Sequence, residues 1–255
     1  MVNEVLYLHK YSMKIVKLNA INSTNTFLKD MVRSSAVENF TVVVTDHQTN
    51  GKGQFDNVWT SEKGKNLTFS MLCSFSELEV KNSFYLNCAV SLAIYNILGR
   101  YIKKKLKIKW PNDILSSNHK LCGILIENTV SNGKVVNAVV GIGLNVNQEN
   151  FPTEIQRATS LKILTEKVYD KDAVLNALIV EIEHQMTFIE SQQFDLLKLN
   201  YEKVLYRNGE PSMFHSDKFG NFLGKILGIT YQGKLIVELE NESLETFDLK
   251  EIRFI

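Results

Sequence analysis

Three short segments of the sequence contain glycines, and two of them also carry lysine residues that could bind an anionic substrate. The first is Gly51-Lys52-Gly53-Gln54, in a segment that continues to Trp59. Glycines allow backbone N–H groups to approach an anion closely, and a lysine between them adds positive charge. The segment is not a P-loop, because no G-K-[ST] follows, and it lacks the third glycine and following helix of a dinucleotide-binding fingerprint. An anion-binding loop and a mobile surface loop therefore both remain open.

The second segment places Lys109–Asp113 (KWPND) before Lys120–Glu127 (KLCGILIE). A carboxylate and a lysine then flank a predicted hairpin turn, so we expect Asp113 and Lys120 to face one site. Asp113 would make polar or metal contacts there, and Lys120 would bind an anionic substrate. The alternative is that KWPND is a capped turn with a packed tryptophan and no further role.

The third segment is Gly141–Asn147 (GIGLNVN), which has the apolar character of a strand. Small residues in a strand permit the close approach of a ligand or of another backbone. A sharp bend of the strand explains the two glycines equally well, so this segment alone indicates no particular function.

Together, these segments resemble the biotin–protein ligase family in their order and intervals. The resemblance covers roughly residues 15 to 165, and the β-rich C-terminal part fits the SH3-like domain of that family. It indicates a short form that lacks the N-terminal DNA-binding domain. The matching segments, in chain order, are Ser23-Thr24-Asn25, Gln48-x-x-Gly51-Lys52-Gly53-Gln54, Trp59, Ser61-Glu62-x-Gly64-Lys65-Asn66-Leu67, KWPND, KLCGILIE and GIGLNVN.

The resemblance implies a two-step reaction that uses ATP, Mg²⁺ and biotin. Biotin is first activated to biotinyl-5'-AMP with release of diphosphate, and the biotinyl group is then transferred to a specific lysine. The expected acceptor is the biotin carboxyl carrier domain of acetyl-CoA carboxylase or of a related carboxylase.

The resemblance also assigns roles to individual residues. Lys52 and Lys120 are expected to be catalytic, because both would contact the carboxylate and phosphate that react. The implied biotin-binding residues are Ser23, Thr24, Asn25, Gln48, Gly51, Lys52, Gly53, Gln54, Trp59, Lys120 and Gly123. The implied ATP-binding residues are Lys52, Trp59, Asn112, Asp113, Lys120 and Asn145, with Asp113 also expected to bind Mg²⁺ through ATP.

The glycine loop departs from the family pattern at two places. The family often has Arg-Gly where this chain has Phe55-Asp56, and Lys52 replaces a commoner arginine and so loses bidentate geometry. We expect these differences to affect how the loop retains the adenylate. Phe55 would supply apolar cover, whereas Asp56 would repel a phosphate unless it turns outward or pairs with Lys52.

Hydrophobic patterning predicts an α+β fold in which a mixed β-sheet with packed helices positions these segments. Residues 1–206 are expected to form the catalytic domain and residues 207–255 a small SH3-like β-barrel, because short strands and glycine turns follow Arg207. Predicted helices follow an N-cap at Ser23 or Thr24, or at Asp172, and span Phe84–Ile102 and Phe194–Tyr206. The predicted strands are Ile15–Leu18, Phe40–Thr45, Asn66–Phe75, Leu106–Trp110, Leu121–Glu127 and Val135–Asn147, with a long loop at Asp46–Lys65.

Composition places the chain among globular proteins. Apolar residues make up 44% and charged residues 22% of 255 residues, and the formal net charge is +1. This near-neutral charge does not call for nucleic acid or an anionic membrane. The absence of a long apolar run and of a signal peptide favours the cytoplasm. Cys73, Cys88 and Cys122 lack C-x-x-C spacing and are expected to be buried reduced thiols.

Two alternatives remain at this point. A lipoate–protein ligase shares the fold and the two-step logic, although KWPND and KLCGILIE argue against it. A biotin-responsive repressor would need a DNA-binding domain, and the residues before Ser23 are too few for a helix-turn-helix. The run Lys103–Lys107 is therefore predicted to be a solvated helix end or a partner-docking patch. The sequence does not distinguish a monomer from a homodimer.

Overall fold

The computed structural model describes residues 2–8, 13–54, 57–103, 105–153 and 157–255. Its main element is an eight-stranded sheet with the strand order β1-β2-β3-β4-β8-β7-β6-β5. Strands β2 and β3 are parallel and every other neighbouring pair is antiparallel, so the sheet is mixed, as predicted. The strands are β1 Val2–Leu8, β2 Met13–Leu18, β3 Val42–Thr45, β4 Leu67–Ser74, β5 Leu106–Lys109, β6 Asp113–Ser116, β7 His119–Ser131 and β8 Lys134–Leu144.

Helices cover the two faces of this sheet unequally. The helices are α1 Thr24–Ser34, α2 Phe84–Tyr101, α3 Leu161–Thr165, α4 Lys171–Glu190 and α5 Phe194–Lys203. Large apolar side chains of β4 such as Phe69 and Met71 belong to the core that contains α2, α4 and α5. Leu72, on the opposite face of β4, packs instead in a smaller cluster with Leu28 of α1. Because side chains alternate along a strand, the even-numbered residues of β4 face α1.

A second sheet follows near the C-terminus, with the strand order β12-β11-β10-β9-β13 and only antiparallel neighbours. This five-stranded sheet is consistent with the predicted SH3-like barrel. The boundary at residue 207 stays a prediction. The strands are β9 Pro211–Ser216, β10 Gly220–Ile229, β11 Leu235–Leu239, β12 Leu244–Phe247 and β13 Arg253–Phe254. The two sheets share one apolar core that includes Phe214, and Trp110 Nε1 donates to Gly233 O at 2.9 Å.

Several predicted helices and strands are confirmed, although they begin or end at residues other than those predicted. Ser23 is the N-cap of α1, since its side chain accepts from Thr26 N. The predicted cap at Asp172 is wrong: Asp170 caps α4 by accepting from Asp172 N, while the carboxylate of Asp172 lies 2.9 Å from Lys17 Nζ. Trp110, Pro111 and Asn112 of KWPND form a short turn after β5, and β6 begins at Asp113.

Other elements had no sequence prediction or ended early. Helix α5 ends at Lys203 rather than Tyr206, and β1, α3 and β13 had not been predicted.

The three cysteines are free and buried, as expected, and burial raises the pKa of each thiol above its usual value. None of the described helices is long and apolar enough to cross a membrane. Nor do the described residues include a group of three or more His, Cys, Asp or Glu that could hold a metal ion.

Candidate active site

The face of the sheet that points toward α1 is built from small residues at its centre. Two rows of residues cross the central strands in register. In one row Thr68, Gly143, Gly123 and Asp113 lie side by side on β4, β8, β7 and β6. In the neighbouring row Ser70, Gly141 and Leu125 lie on β4, β8 and β7. The opposite face carries bulky side chains such as Phe69 and Ile142, which pack in the core, whereas the small residues leave room above the sheet on the α1 face.

The side chain of Trp59 occupies part of this room. A Cβ atom at Gly143 would overlap the Trp59 ring, and one at Gly123 would lie 3.2 Å from both that ring and Lys120 Cε. The close approach of the indole ring therefore explains the glycine at position 143, and at Gly123 the ring and Lys120 leave little space for a side chain. No bend of β8 is involved, because β8 continues to Leu144.

A hydrogen-bonded group of uncharged side chains lies over the Gly141 row. Gln48 Oε1 accepts from Thr24 N at 2.8 Å and lies 3.1 Å from Thr24 Oγ1. Ser70 Oγ lies 2.6 Å from Thr24 Oγ1 and 2.5 Å from Asn25 Oδ1. A Cβ atom at Gly141 would overlap Asn25, so this glycine also makes room for a side chain. The group presents several polar atoms and no formal charge to the cavity.

Asn25 is held from behind by an ion pair. Its Nδ2 donates to Glu127 Oε2 at 2.8 Å and to Leu125 O at 3.3 Å, and Lys29 Nζ lies 2.5 Å from Glu127 Oε1. Burial opposes ionisation of Glu127, but hydrogen bonds from Lys29 and Asn25 and the charges of Lys29 and Lys52 outweigh it. They hold the pKa of Glu127 below its usual range. Glu127 is therefore an anion at neutral pH.

The ammonium group of Lys120 lies over the Gly123 row. Lys120 Nζ is 2.6 Å from Asp113 Oδ1 and 5.9 Å from the centroid of the Trp59 ring. Asp113 Oδ1 is buried, and at this distance from the ammonium group the two side chains form an ion pair. The turn before Asp113 is fixed because Asn112 Nδ2 donates to Ile124 O at 2.6 Å. Hairpin β6–β7 thus brings a lysine and a carboxylate together, as the spacing predicted.

The glycine loop closes on itself beside these residues. Trp59 N donates to Gly51 O at 3.0 Å, and Gly53 N donates to Asn57 O at 2.6 Å. A Cβ atom at Gly51 would overlap Trp59 O, which explains a glycine there. Lys52 pairs with Val58 in an isolated antiparallel bridge. Phe55 and Asp56, for which roles in adenylate retention were predicted, lie outside the described residues.

One cavity collects most of the predicted site residues. The predicted residues that line it are Ser23, Thr24, Asn25, Gln48, Lys52, Gly53, Gln54, Trp59, Asn112, Asp113, Lys120 and Gly123. Gly51 and Asn145 do not line it. Asn145 is buried behind it, where its Nδ2 donates to Thr159 O and its backbone N to Leu121 O. The individual ligand roles of all these residues stay predictions.

Several residues of the site carried no prediction. Thr68, Asn57 and Val58 line the cavity, and Ser70 and Lys29 support its wall. Ser70 could have been found, because Thr68 and Ser70 alternate as small polar residues in an otherwise apolar strand. Lys29 follows Asn25 by four residues on α1, which places both on one side of that helix.

Comparisons of this chain with known sequences and known structures indicate the same protein family. A sequence model described as the Biotin/lipoate A/B protein ligase family matches residues 18–145. The Bifunctional ligase/repressor BirA of Bacillus subtilis is 30% identical over 230 residues, which are 89% of this chain and 70% of that protein. The Biotin--[acetyl-CoA-carboxylase] ligase of Mycobacterium tuberculosis is 32% identical over 165 residues, or 63% of this chain and 59% of that protein.

The solved structures include a biotin protein ligase from Aquifex aeolicus in complex with biotin and ATP. This structure is 28% identical to the chain, with a TM-score of 0.78 over 94% of this chain and 99% of that one. By sequence and by fold, the chain belongs to the biotin/lipoate A/B protein ligase family.

Proposed function

We propose that the chain is a biotin–protein ligase, which forms biotinyl-5'-AMP from biotin and ATP and then biotinylates a lysine of an acceptor protein. One observation carries this proposal. The cavity joins an uncharged polar group around Thr24 and Gln48 to the cations Lys52 and Lys120. Biotin has the matching character, because its ureido head is neutral and hydrogen-bonding and its other end is a carboxylate.

The head group and the carboxylate have separate places along β7. Asn25 covers the Gly141 row, which pairs with Leu125, and Lys120 covers the Gly123 row. Two residues of a strand span about 6.6 Å, so the polar group and the lysine are separated along the sheet. The Trp59 ring lies at the Gly123 row and supplies the apolar surface that such a pocket needs.

Adenylation requires two anions to meet. A carboxylate oxygen of biotin attacks the α-phosphorus of ATP, the new C–O–P bond forms, and the bond to the leaving diphosphate breaks. Lys120 and Lys52 offset the repulsion between carboxylate and phosphate and stabilise the charge that develops. Asp113 keeps the ammonium group of Lys120 at the cavity, 2.6 Å from its own carboxylate.

The residues present are compatible with a magnesium ion brought by ATP. Mg²⁺ bound to nucleotides usually takes one or two carboxylates together with phosphate oxygens. Asp113 is the carboxylate among the described residues of the cavity lining, where it lies beside Lys120, so the donor set suits an ion that is bound mainly by phosphates. Asp113 would hold the ion, which would neutralise charge on the phosphates.

The second step needs access for one amine and protection from water. The amine of an acceptor lysine attacks the acyl carbon of the adenylate, and AMP leaves. Residues 52–54 and 57–59 line the cavity, and ordering of this segment over the adenylate would exclude water. The exposed side chain of Val58 lines the cavity from this loop.

The proposal also includes an acceptor protein and a cellular compartment. The acceptor is the biotin carboxyl carrier domain of acetyl-CoA carboxylase or a related carboxylase, as the name of the mycobacterial relative suggests. We place the reaction in the cytoplasm, where ATP is supplied, and we include no nucleic acid among the partners. Both a monomer and a homodimer accommodate this chemistry.

A lipoate–protein ligase is the second candidate, because the family includes it. Lipoic acid has no N–H groups to satisfy the polar atoms around Thr24 and Gln48, and a site built for hydrogen bonds strongly rejects an analogue that lacks them. Diphosphate release from ATP tests the choice, with biotin, lipoic acid or no acid added. We expect release with biotin alone. Release with lipoic acid but not with biotin would overturn the proposal.

A further inference from the structure

The polar group of the cavity continues into a hydrogen-bond chain that ends on a charged pair outside the cavity lining. Asn25 stands between the two parts. Its Nδ2 is bound to the Glu127 carboxylate and to the carbonyl of Leu125, and Lys29 contacts the other carboxylate oxygen. Neither Lys29 nor Glu127 lines the cavity.

These contacts fix the orientation of the Asn25 amide. A carboxylate and a carbonyl oxygen can only accept hydrogen bonds, so the NH₂ group of Asn25 must face both of them. Its Oδ1 therefore faces Ser70 Oγ at 2.5 Å. Two oxygen atoms at this distance need a proton between them, and only the Ser70 hydroxyl can supply it.

The remaining contacts contain fewer protons than oxygen pairs. Ser70 Oγ lies 2.6 Å from Thr24 Oγ1, which lies 3.1 Å from Gln48 Oε1. With the contact between Ser70 and Asn25 there are three oxygen–oxygen contacts, but Ser70 and Thr24 have one hydroxyl proton each. Gln48 Oε1 is fixed as an acceptor because Thr24 N donates to it. Acceptors therefore outnumber protons on this wall.

Glu127 is the origin of this polarity. If the carboxylate were an amide, it could donate as well as accept, and the longer contact of Asn25 Nδ2 with Leu125 O, at 3.3 Å, would be left to oppose a turn of the Asn25 amide. The Ser70 proton would then be free to move toward Thr24, and the wall would lose its fixed acceptor character. Lys29 stabilises the charged form of Glu127 and so maintains the arrangement.

We propose that Glu127, held by Lys29, is a positioning residue that makes this wall an acceptor for N–H groups of the bound acid. This inference rests on the proposed function and deepens it: Glu127 acts through Asn25 and sets the preference for a ureido-bearing acid over acids without N–H groups. Glu127 itself does not touch the substrate.

The test compares Glu127→Gln with the matched change Glu77→Gln. Glu77 also pairs with a lysine, Lys134 at 2.7 Å, but this exposed pair has no contact with the cavity. Binding of biotin and of ATP is measured separately by calorimetry, and thermal unfolding checks the fold. We expect Glu127→Gln to weaken biotin binding about tenfold or more, the effect of a lost charge-assisted hydrogen bond, while ATP binding stays within about twofold. Glu77→Gln should leave both unchanged.

A double-mutant cycle asks whether Glu127 acts through Asn25. In an Asn25→Ala background, Glu127→Gln should have almost no further effect on biotin binding, because the amide that it orients is gone. Diphosphate release with biotin should also fall in Glu127→Gln toward the background level measured with lipoic acid, so that the ratio of the two rates falls. If Glu127 only stabilised the fold, Glu127→Gln would weaken biotin binding equally with and without the Asn25 side chain, and the ratio of the two release rates would not fall.

The outcomes separate this inference from the proposed function. Absence of biotin binding by the parent chain overturns both. Biotin binding by the parent together with parent-like affinity in a folded Glu127→Gln, or additive effects in the cycle, overturns only the inference. If Glu127→Gln does not fold, Lys29→Met carries the test, and its unchanged biotin affinity would overturn the inference.

Discussion

Lys120 and Asp113 lie on facing strands of one hairpin, and Lys120 Nζ is 2.6 Å from Asp113 Oδ1 at the Gly123 row of the sheet. The pair places a positive charge at the cavity, and the carboxylate of Asp113 compensates this charge until an anionic substrate binds. The Trp59 ring, 5.9 Å from the ammonium group, restricts the side chain from a second direction. Lys120 is thus preorganised for the step in which carboxylate and phosphate meet.

The first prediction concerns this lysine. Lys120→Ala should lower adenylate formation by at least about a hundredfold, the scale of losing a preorganised charge contact in the transition state. Diphosphate release with excess biotin measures the rate. The matched control is Lys218→Ala, which removes a lysine paired with Glu245 on the second sheet. A near-normal rate for Lys120→Ala would remove it from the catalytic step.

A second prediction tests whether the glycines make room for Trp59. Gly143→Ala forces a methyl group into the space of the Trp59 ring, and overpacking of this kind typically costs about 1 to 3 kcal/mol. Because Trp59 lines the cavity, we expect biotin affinity to fall at least roughly tenfold.

Gly99→Ala is the control for this substitution. No heavy atom lies within 4 Å of a Cβ built at Gly99, which is in α2. Alanine is a better helix former by about 1 kcal/mol, so this variant should be slightly more stable and bind biotin normally. Equal biotin affinity in the two variants would show that the ring adapts at no cost.

The third prediction concerns the loop from Gly51 to Asn57. Its glycines and scarce apolar residues lead us to expect fast hydrogen exchange without ligand and protection once biotin and ATP are bound. Hydrogen exchange read by mass spectrometry on the free and the liganded protein makes the comparison. The peptide of α2 serves as an internal reference because most of that helix is buried in both states. Identical protection of the loop in the two states would contradict its closure.

The fourth prediction follows from the lowered pKa of Glu127. Hydrogen bonds and the charges of Lys29 and Lys52 lower this pKa in the folded state from its ordinary 4.5. Ionised Glu127 therefore stabilises the fold above that pH, and this contribution is lost as the pH falls through the folded-state pKa. The difference in Tm between the parent and Glu127→Gln should be largest near neutral pH and shrink below pH 4.5. A difference that is constant with pH would mean that the charge of Glu127 does not matter.

Local patterns in the sequence were enough to predict the elements that carry the site. The alternating and β-branched segments gave the strands, and Ser23 gave the start of α1. The contact between Asp113 and Lys120 was predictable because both residues flank one hairpin turn. Ends of helices were less well predicted: Asp170 and Asp172 are equivalent as caps in sequence, and only tertiary contacts such as that of Asp172 with Lys17 distinguish them.

The wall of the cavity was only partly predictable, because its contacts join residues far apart in the chain. Asn25 meets Glu127 across 102 positions, and Ser70 meets Thr24 across 46. The periodicity of a single segment does not indicate which residues from distant parts of the chain come into contact. The glycines of β8 were predicted to permit the close approach of a ligand or of another backbone, or to mark a bend, whereas the groups that approach Gly143 and Gly141 are the side chains of Trp59 and Asn25.

The most direct measurement of the central claim is the mass of a biotin carboxyl carrier domain after incubation with this protein, biotin, ATP and Mg²⁺. We expect one added biotinyl group on a single lysine, dependent on ATP and absent when lipoic acid replaces biotin. An unchanged mass with biotin, or the addition of a lipoyl group instead, would contradict it.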